Sequence, residues 1–212
     1  HIDDQAETLL IQLLRGSGPR GLGGMDEFNF APDLLQSDSI IIARPLLNET
    51  RKRLEEFCAH SHFSHIEDES NSDPRFTRNA IRRQVMPQLE NISPQFSQRL
   101  ARTALHMRAA NRMLDELADS DLKSALQNDA LQLKQLSDLS QDRIDNLFRY
   151  WFSISKVRMP STSKLTEMRK QLFDARADAR IQIQHLDFTL SRYEDKIYLI
   201  KDHHRQNPDP VV

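Results

Sequence analysis

The sequence predicts an α/β domain followed by a mostly α-helical domain that closes with a β-hairpin. A β-branched run, Ser39–Ala43, lies between helical patterns, and strands alternating with helices are typical of α/β domains. Helical spacing of apolar residues dominates beyond Pro94, and alternation with a period of two returns near Ile181. The length of 212 residues allows two such domains, each with its own hydrophobic core.

Composition excludes several classes of protein. A single cysteine, Cys58, rules out a disulfide scaffold, and the apolar runs are too short to cross a membrane. We recognise no signal peptide, and we expect a cytoplasmic location. All five glycines lie between Gly16 and Gly24, so turns elsewhere must form without glycine. This distribution favours long helices over many tight β-turns.

The elements of the first domain follow in order. Asp3 and Asp4 precede an apolar face, as expected where a helix begins, and Gly16 is placed to end that helix. After the glycines, Ser39–Ala43 is predicted as a buried strand that Pro45 ends. Two further helices are predicted, one carrying residues 51–58 and one from about residue 76 to residue 86.

Pro87 and Pro94 bracket the predicted domain boundary. We assign residues 1–88 to the first domain, 89–202 to the second and 203–212 to a loosely held polar tail. Four helices are predicted in the second domain, over residues 96–117, 122–136, 141–151 and 163–173. The alternating segment from residue 181 to residue 200 is predicted to form a hairpin that turns at residues 192–195.

The glycine segment matches two nucleotide-binding patterns by spacing alone. Gly16-Ser-Gly-Pro-Arg-Gly21 fits G-x-G-x-x-G, but that fingerprint needs a preceding strand and a following helix. Here a helix precedes the glycines, and Pro19 removes a backbone amide that would face the phosphates. The pattern therefore favours a helix end and an irregular connection.

Two clusters have the residue types of a ligand site. Asp4 and Glu7, three residues apart, share one face of the first helix and could hold an ammonium group or Mg²⁺, although acids also favour helix starts for electrostatic reasons alone. A second cluster has zinc-ligand types in a spacing that matches no common zinc site: Cys58, His60, His62 and His65. We predict no metal there, and a metal-binding regulator is a distant alternative.

A band of arginines spans residues 75–112 and gives this near-neutral chain a strongly basic region. One acid, Glu90, and no lysine interrupt it, so its net charge is +7. Guanidinium groups bind phosphate through a planar fork of donors, and this charge density predicts binding of a nucleic acid or a nucleotide. A solvated helix face is the alternative, but such a face usually carries interspersed acids. The eight residues of this arginine band are Arg75, Arg78, Arg82, Arg83, Arg99, Arg102, Arg108 and Arg112.

Several motifs occur in the order found in one known family. His1-Ile-Asp-Asp-Gln-Ala-Glu-Thr8 resembles the HHxDDQxET segment of tRNA(Ile)-lysidine synthetases, entered at its second histidine, and the glycine segment through Met25 resembles the loop that follows. Arg44-Pro-Leu-Leu47 is similar to the RPLL element of the family. The segment from Asp68 to Arg82 resembles its (D)xSN…RNxIR motif, and residues 159–161 and the closing hairpin resemble its substrate-binding domain.

The resemblance implies a fold and an activity. The first domain would be the C-terminal part of a Rossmann-like ATP-pyrophosphatase domain, and the second would bind tRNA. The family uses ATP, with Mg²⁺, to adenylate C2 of the wobble cytidine in an isoleucine tRNA with a CAU anticodon. Free lysine then displaces AMP to form lysidine.

The resemblance also implies roles for individual residues. Asp4, Glu7 and Arg78 would be catalytic and would orient the lysine. The active-site cleft would be lined by His1, Asp3, Asn79 and Arg82. The remaining arginines of the band would bind tRNA: Arg75, Arg83, Arg99, Arg102, Arg108 and Arg112.

The sequence departs from the family at one essential motif. The Ser-Gly-Gly-x-Asp-Ser loop that holds the ATP phosphates occurs nowhere in the chain, and Ser17-Gly18 is followed by proline. We therefore expect a fragment that lacks this loop and the far C-terminal domain and that is inactive alone. A non-catalytic tRNA-binding module is the alternative hypothesis, and the sequence leaves the formation of a homodimer open.

Overall fold

The computed structural model describes residues 1–30, 39–63, 75–176 and 179–202. Its contacts divide the chain into two compact units, His1–Arg112 and Met113–Val212, which we call the N-unit and the C-unit. Helices and antiparallel strands occur together, so the predicted mixed class is confirmed at that level. The N-unit shows one two-stranded antiparallel sheet among its described residues, and a Rossmann-like arrangement is not seen there.

The N-unit contains five whole helices and two strands within the described residues, together with one π-helical turn and the first part of a long helix that begins at Phe96. The helices are α1 (Ile2–Leu14), α2 (Pro19–Leu22), α3 (Arg51–His60), α4 (Thr77–Ala80) and α5 (Met86–Ile92). The strands are β1 (Phe28–Phe30) and β2 (Ile41–Ala43), and the π turn is Ile81–Val85.

Helix α1 has the ends that the sequence predicts. The His1 side chain accepts a hydrogen bond from the backbone amide of Asp4, and the acidic residues lie in the first turn, where the helix dipole favours them. Beyond the C-terminus, Gly16 adopts a φ of +68°, which an L side chain would disfavour. The glycine segment therefore ends a helix, as predicted, but it continues as the short helix α2 and not as an irregular connection.

The strand predicted over Ser39–Ala43 is shorter than expected and is not buried. It covers Ile41–Ala43 and pairs antiparallel with β1, and Ile41 is 55% exposed. The prediction of a buried strand was therefore wrong. The β-branched run identified the backbone conformation, but burial depends on tertiary neighbours, and β1 is the partner strand that the structure describes for β2.

The helical segment from α4 to α5 continues through Pro87. Proline lacks an amide donor and its ring crowds the carbonyl four residues earlier, so an undistorted α-helix cannot accommodate it in an interior position. The preceding π turn widens the backbone, and the Met86 amide bonds to the Ile81 carbonyl, five residues back. The predicted helix end at Pro87 was wrong because this turn absorbs the proline.

The long helix α6 (Phe96–Ala125) contains the helix predicted over residues 96–117 and the first residues of the helix predicted over residues 122–136. The region predicted as a helix over residues 122–136 instead completes α6, forms β3 (Leu126–Gln127) and β4 (Ala130–Gln132), and ends in α7 (Leu133–Ser137). Asn128 and Asp129 make the turn with φ values of +51° and +61°. Asparagine and aspartate tolerate this conformation, so the hairpin forms without glycine.

The rest of the C-unit follows the sequence patterns closely. Helices α8 (Gln141–Ile154) and α9 (Thr162–Phe173) begin after serine N-caps. Strands β5 (Ile181–His185), β6 (Phe188–Tyr193) and β7 (Lys196–Lys201) extend the predicted hairpin into a meander. They join β3 and β4 in one antiparallel sheet, in the order β3-β4-β7-β6-β5.

A single apolar core fills the C-unit. Helices α8 and α9 pack their apolar faces against the sheet, and the Phe152 and Phe188 rings lie 4.9 Å apart at their centroids. Both residues are fully buried, as is Phe148. Burial of such a side chain stabilises the fold by about 1.5–3 kcal/mol, so this core is a main source of the stability of the C-unit.

The division into two units falls inside α6, whereas we predicted a domain boundary at residues 88 and 89. The predicted domains 1–88 and 89–202 stay a prediction. The predicted tail, residues 203–212, lies outside the described residues.

Candidate active site

A buried carboxylate on α1 holds two arginines that are distant in sequence. The Glu7 side chain is 1% exposed, and both of its oxygens accept hydrogen bonds. Arg78 Nε donates to Oε2 at 2.8 Å, and Arg82 Nε donates to Oε1 at 2.6 Å. Arg82 Nη2 adds a further bond to Oε2 at 3.0 Å. The two arginines are four residues apart, so they project from the same side of the helix and grip one carboxylate.

Asp4 lies one turn before Glu7 and completes the cluster. Its Oδ1 is 3.4 Å from Nη2 of Arg78 and equally far from Nη2 of Arg82. The Asp4 side chain is 26% exposed, in contrast to Glu7. Asp4 is therefore the carboxylate of the pair that solvent or a ligand can reach.

The electrostatics of the cluster follow from this pairing. The pKa of Arg82 is raised above its ordinary value, chiefly by the hydrogen bond to Glu7 and further by the charges of Glu7 and Asp4. Burial of Arg82 opposes this effect and lowers the pKa. Arg82 is therefore held in its charged form, and Glu7 is its buried counter-ion in this conformation. An ammonium group cannot reach Glu7 unless the arginines move.

A cleft of about 410 Å³ opens beside the cluster. Asp4, Arg78 and Arg44 contribute charged side chains, His1 contributes an imidazole, and apolar side chains form the remaining walls. The full set of lining residues is His1, Asp4, Met25, Arg44, Pro45, Leu46, Leu47 and Arg78. A carboxylate beside apolar surface suits a ligand with an aliphatic chain and a cationic end.

The structure places the other predicted lining residues differently. His1 lines the cleft, but Asp3 accepts a hydrogen bond from the Arg51 amide at 3.0 Å, at the start of α3. Asn79 is buried at 7% exposure, and neither it nor Arg82 lines the cleft. The motif residues around positions 68–74 lie outside the described residues.

Five cleft residues were not predicted as site residues: Met25, Arg44, Pro45, Leu46 and Leu47. Arg44 belongs to the RPLL motif, and its Nη1 donates to the Asp26 carbonyl at 3.0 Å. Met25 ends the glycine segment and faces the cleft. Both motifs were noted in the sequence, but no residue in them has a side chain that identifies it as catalytic.

The arginine band does not form one continuous surface. Arg78 and Arg82 bind the acidic cluster, and Arg108 pairs with Asp26 at 3.0 Å. Arg99 donates to the Ser93 hydroxyl. Arg75 is exposed at the start of α4. Within the arginine band, three described residues are exposed without an ion pair or hydrogen-bond partner: Arg83, Arg102 and Arg112.

Metal ligation finds no support in the described part of the chain. No group of three or more histidine, cysteine or acidic side chains is arranged there to hold an ion. Cys58 is a free thiol and is half-buried, and His65 lies outside the described residues. Among the described helices, none combines the length and the apolar character needed to cross a bilayer.

Comparisons with known proteins match both parts of the chain. Residues 1–89 match the family described as the PP-loop domain, and residues 131–198 match the TilS substrate binding domain. A tRNA(Ile)-lysidine synthase of Burkholderia pseudomallei is 40% identical over 199 residues, which is 93% of this chain and 40% of that protein.

Similar enzymes from two other bacteria match to the same degree. The tRNA(Ile)-lysidine synthase of Proteus mirabilis is 38% identical over 94% of this chain and 44% of its own length. That of Salmonella schwarzengrund is 38% identical over 95% of this chain and 46% of its own length. The chain thus spans less than half of the length of these curated relatives.

Proposed function

We propose that this chain, which is similar to tRNA(Ile)-lysidine synthases, provides the lysine-binding part of an ATP-dependent ligase. The whole enzyme would join free lysine to C2 of the wobble cytidine in an isoleucine tRNA with a CAU anticodon. One observation carries the proposal. Asp4 and Glu7 of α1 meet Arg78 and Arg82 of the RNxIR motif beside a cleft that the RPLL motif lines.

The reaction divides into two steps that need different groups. In the first, the C2 oxygen of cytidine attacks the α-phosphorus of ATP, and pyrophosphate leaves. In the second, the ε-nitrogen of lysine attacks C2, the bond from C2 to the adenylate oxygen breaks, and AMP leaves. The ammonium group must lose a proton before its nitrogen can attack.

Asp4 is the residue that we assign to the ammonium group. It faces the cleft and is partly exposed, so it can accept hydrogen bonds from the nitrogen and hold it in position. The Arg78 guanidinium, 45% exposed, also lines the cleft and would stabilise negative charge on the departing AMP phosphate. Glu7 would hold both arginines in position through the hydrogen bonds that it accepts from them.

The proposals of ATP and of Mg²⁺ rest on different observations. The PP-loop match implies the use of ATP, and no Ser-Gly-Gly-x-Asp-Ser sequence occurs in this chain, so we assign none of its residues to the polyphosphate. Mg²⁺ would enter with ATP. The described residues offer it no ligand set, because arginines occupy both oxygens of Glu7, so we derive no step through the metal. A cytoplasmic location and homodimer formation stay predictions.

The alternative of a tRNA-binding module without catalytic groups is not favoured. Such a module needs exposed cations, which Arg83, Arg102 and Arg112 supply. It does not account for a carboxylate that faces a cleft, or for arginines that carboxylates hold in place.

Lysine binding tests the proposal directly. Isothermal titration of the chain with L-lysine should detect binding, and Asp4→Asn should weaken it at least about tenfold because a charge-assisted hydrogen bond is lost. Glu55→Gln is the control, since Glu55 pairs with Arg51 on the surface of α3 and does not line the cleft. Norleucine, which has a similar side chain without the ammonium group, should not bind. Equal affinities for the wild-type and Asp4→Asn chains would contradict the assignment of Asp4.

A further inference from the structure

Gln5 is a buried amide that connects α1 to the glycine segment. It lies between Asp4 and Ala6 and is 3% exposed. Its Nε2 donates to the Met25 carbonyl at 2.5 Å, and its Oε1 accepts from the Met25 amide at 2.8 Å. Both ends of the side-chain amide are therefore engaged by the backbone of one residue, in the geometry of a paired β-ladder.

The neighbouring residues make this contact specific. Gly24 has a φ of +68°, and a Cβ there would lie 2.4 Å from Gln5 Oε1, so only glycine lets the backbone approach this closely. On the other side, Arg108 holds the Asp26 carboxylate at 3.0 Å, and Arg44 binds the Asp26 carbonyl at 3.0 Å. Three consecutive residues are thus fixed by separate contacts.

Met25 is the member of this segment that lines the cleft, together with Asp4 and Arg78. Because Gln5 follows Asp4 in α1, the helix that presents the carboxylate also fixes the Met25 backbone. The spacing between the charged group and this apolar wall is therefore set by one rigid element. A lysine side chain has matching parts, an ammonium end and an aliphatic chain.

We propose that Gln5 is a positioning residue that holds Met25 as the apolar wall against which the aliphatic chain of lysine packs. This inference rests on the proposed function, since it takes lysine as the ligand of the cleft. Gln5 does not touch the ligand, and it acts through the Met25 backbone.

The substitution Gln5→Glu tests the contact with little change of shape. A carboxylate can accept from the Met25 amide but cannot donate to the Met25 carbonyl, so one bond is replaced by repulsion between oxygens. A protonated carboxyl can donate again, and burial favours that form as the pH falls. Gln12→Glu is the matched control, because Gln12 lies on the same helix and accepts from the Ser17 hydroxyl at 2.6 Å.

The measurements are NMR of chains labelled with [methyl-¹³C]methionine and lysine titration calorimetry. Leucine substitution of Met25 assigns its methyl resonance among the six methionines. At pH 7.5 we expect Gln5→Glu to shift this resonance and to weaken lysine binding about tenfold. Lowering the pH to about 5 should return the resonance toward the wild-type position, with wild type and Gln12→Glu measured at both pH values.

The two readouts separate failure of this inference from failure of the proposed function. An unmoved Met25 resonance in Gln5→Glu overturns the inference, and so does a moved resonance with unchanged lysine affinity. If the wild-type chain does not bind lysine, the proposed function fails, and the inference fails with it even if the Met25 contact is verified.

A second variant covers the case in which Gln5→Glu does not fold. Gly24→Ala places a methyl group against Gln5 Oε1 and should displace the same segment. Gly18→Ala is its control, since a Cβ there meets nothing within 4 Å. An unmoved Met25 resonance and unchanged lysine affinity in Gly24→Ala overturn the inference as well.

Discussion

The two units of this chain hold their elements together by different interactions. The C-unit has one extended core in which aromatic side chains such as Phe148, Phe152 and Phe188 are fully buried. The N-unit has a small cluster that includes Ile81 and Phe96, and the contacts that join its distant segments are largely polar. Many of its large apolar side chains are exposed within the described residues.

This difference shows which of the two units depends on the positions of individual atoms. Apolar packing stabilises the C-unit strongly, but it tolerates changes in the shape of individual side chains. Its free energy depends mainly on the apolar area that is buried and on the total side-chain volume. Directional bonds fix the site of the N-unit: Glu7 orients Arg78 and Arg82, and Gln5 holds Met25. Such bonds add little net stability but determine which atoms face the cleft.

The largest expected effect tests the core of the C-unit. Phe152→Ala should lower its free energy of unfolding by about 3–5 kcal/mol, because a fully buried ring leaves a cavity. The single tryptophan, Trp151, lies in the same core, so its fluorescence during urea unfolding reports this unit. Ile154→Ala, on the same helix at 53% exposure, should have little effect. Equal losses in the two variants would contradict the packing described here.

The next effect tests the ionic contacts of the N-unit. Glu7→Gln should lower local stability by about 2–3 kcal/mol, since both arginines lose their buried carboxylate partner. Hydrogen exchange of peptides from α1 and α4 measures this loss, while Trp151 fluorescence should not change. The control is Glu55→Gln, which removes an exposed pair with Arg51 worth about 0.2–1 kcal/mol. Unchanged exchange in α1 would show that apolar packing also dominates the N-unit.

The smallest expected effect is a change in RNA affinity, which tests which unit contributes more to RNA binding. Reversing Arg83 and Arg102 to glutamate should weaken binding of a tRNA transcript about tenfold at 0.1 M salt and reduce its salt dependence. Reversing Lys134 and Lys170, exposed residues of the C-unit, should weaken it less. Filter binding over a range of salt concentrations measures both pairs. A larger loss from the C-unit pair would place the main RNA contacts there.

Periodicity predicted much of the fold, and its failures have local causes. Helices α8 and α9 and the closing strands follow from apolar spacing and capping residues. The hairpin of β3 and β4 was missed because Leu122, Leu126 and Leu133 continue a helical spacing, although Asn128-Asp129 is a turn signal. The absence of glycine after Gly24 did not exclude tight turns, because Leu186 and Glu194 adopt positive φ values in the turns of the meander.

For the site, the motifs identified residues but not their partners. The carboxylates of α1 and the arginines of the RNxIR motif were expected near one another. Their pairing joins positions about 70 residues apart, and the saturation of Glu7 by two guanidinium groups depends on tertiary geometry. No spacing rule in the sequence distinguishes the buried carboxylate, Glu7, from the reachable one, Asp4.

The π turn at Ile81–Val85 has a consequence for how this segment can change in length. A π turn holds one residue more than the α-helical turn that it replaces. Deleting that residue would let the segment close as an ordinary α-helix with Arg78 and Met86 near their present faces, but Pro87 would then lie in the interior of an undistorted helix, which costs about 3 kcal/mol. Substitutions can be absorbed at many positions of this helix. A deletion between the arginines and Pro87 would be tolerated less well, because it removes the wide turn that accommodates the proline.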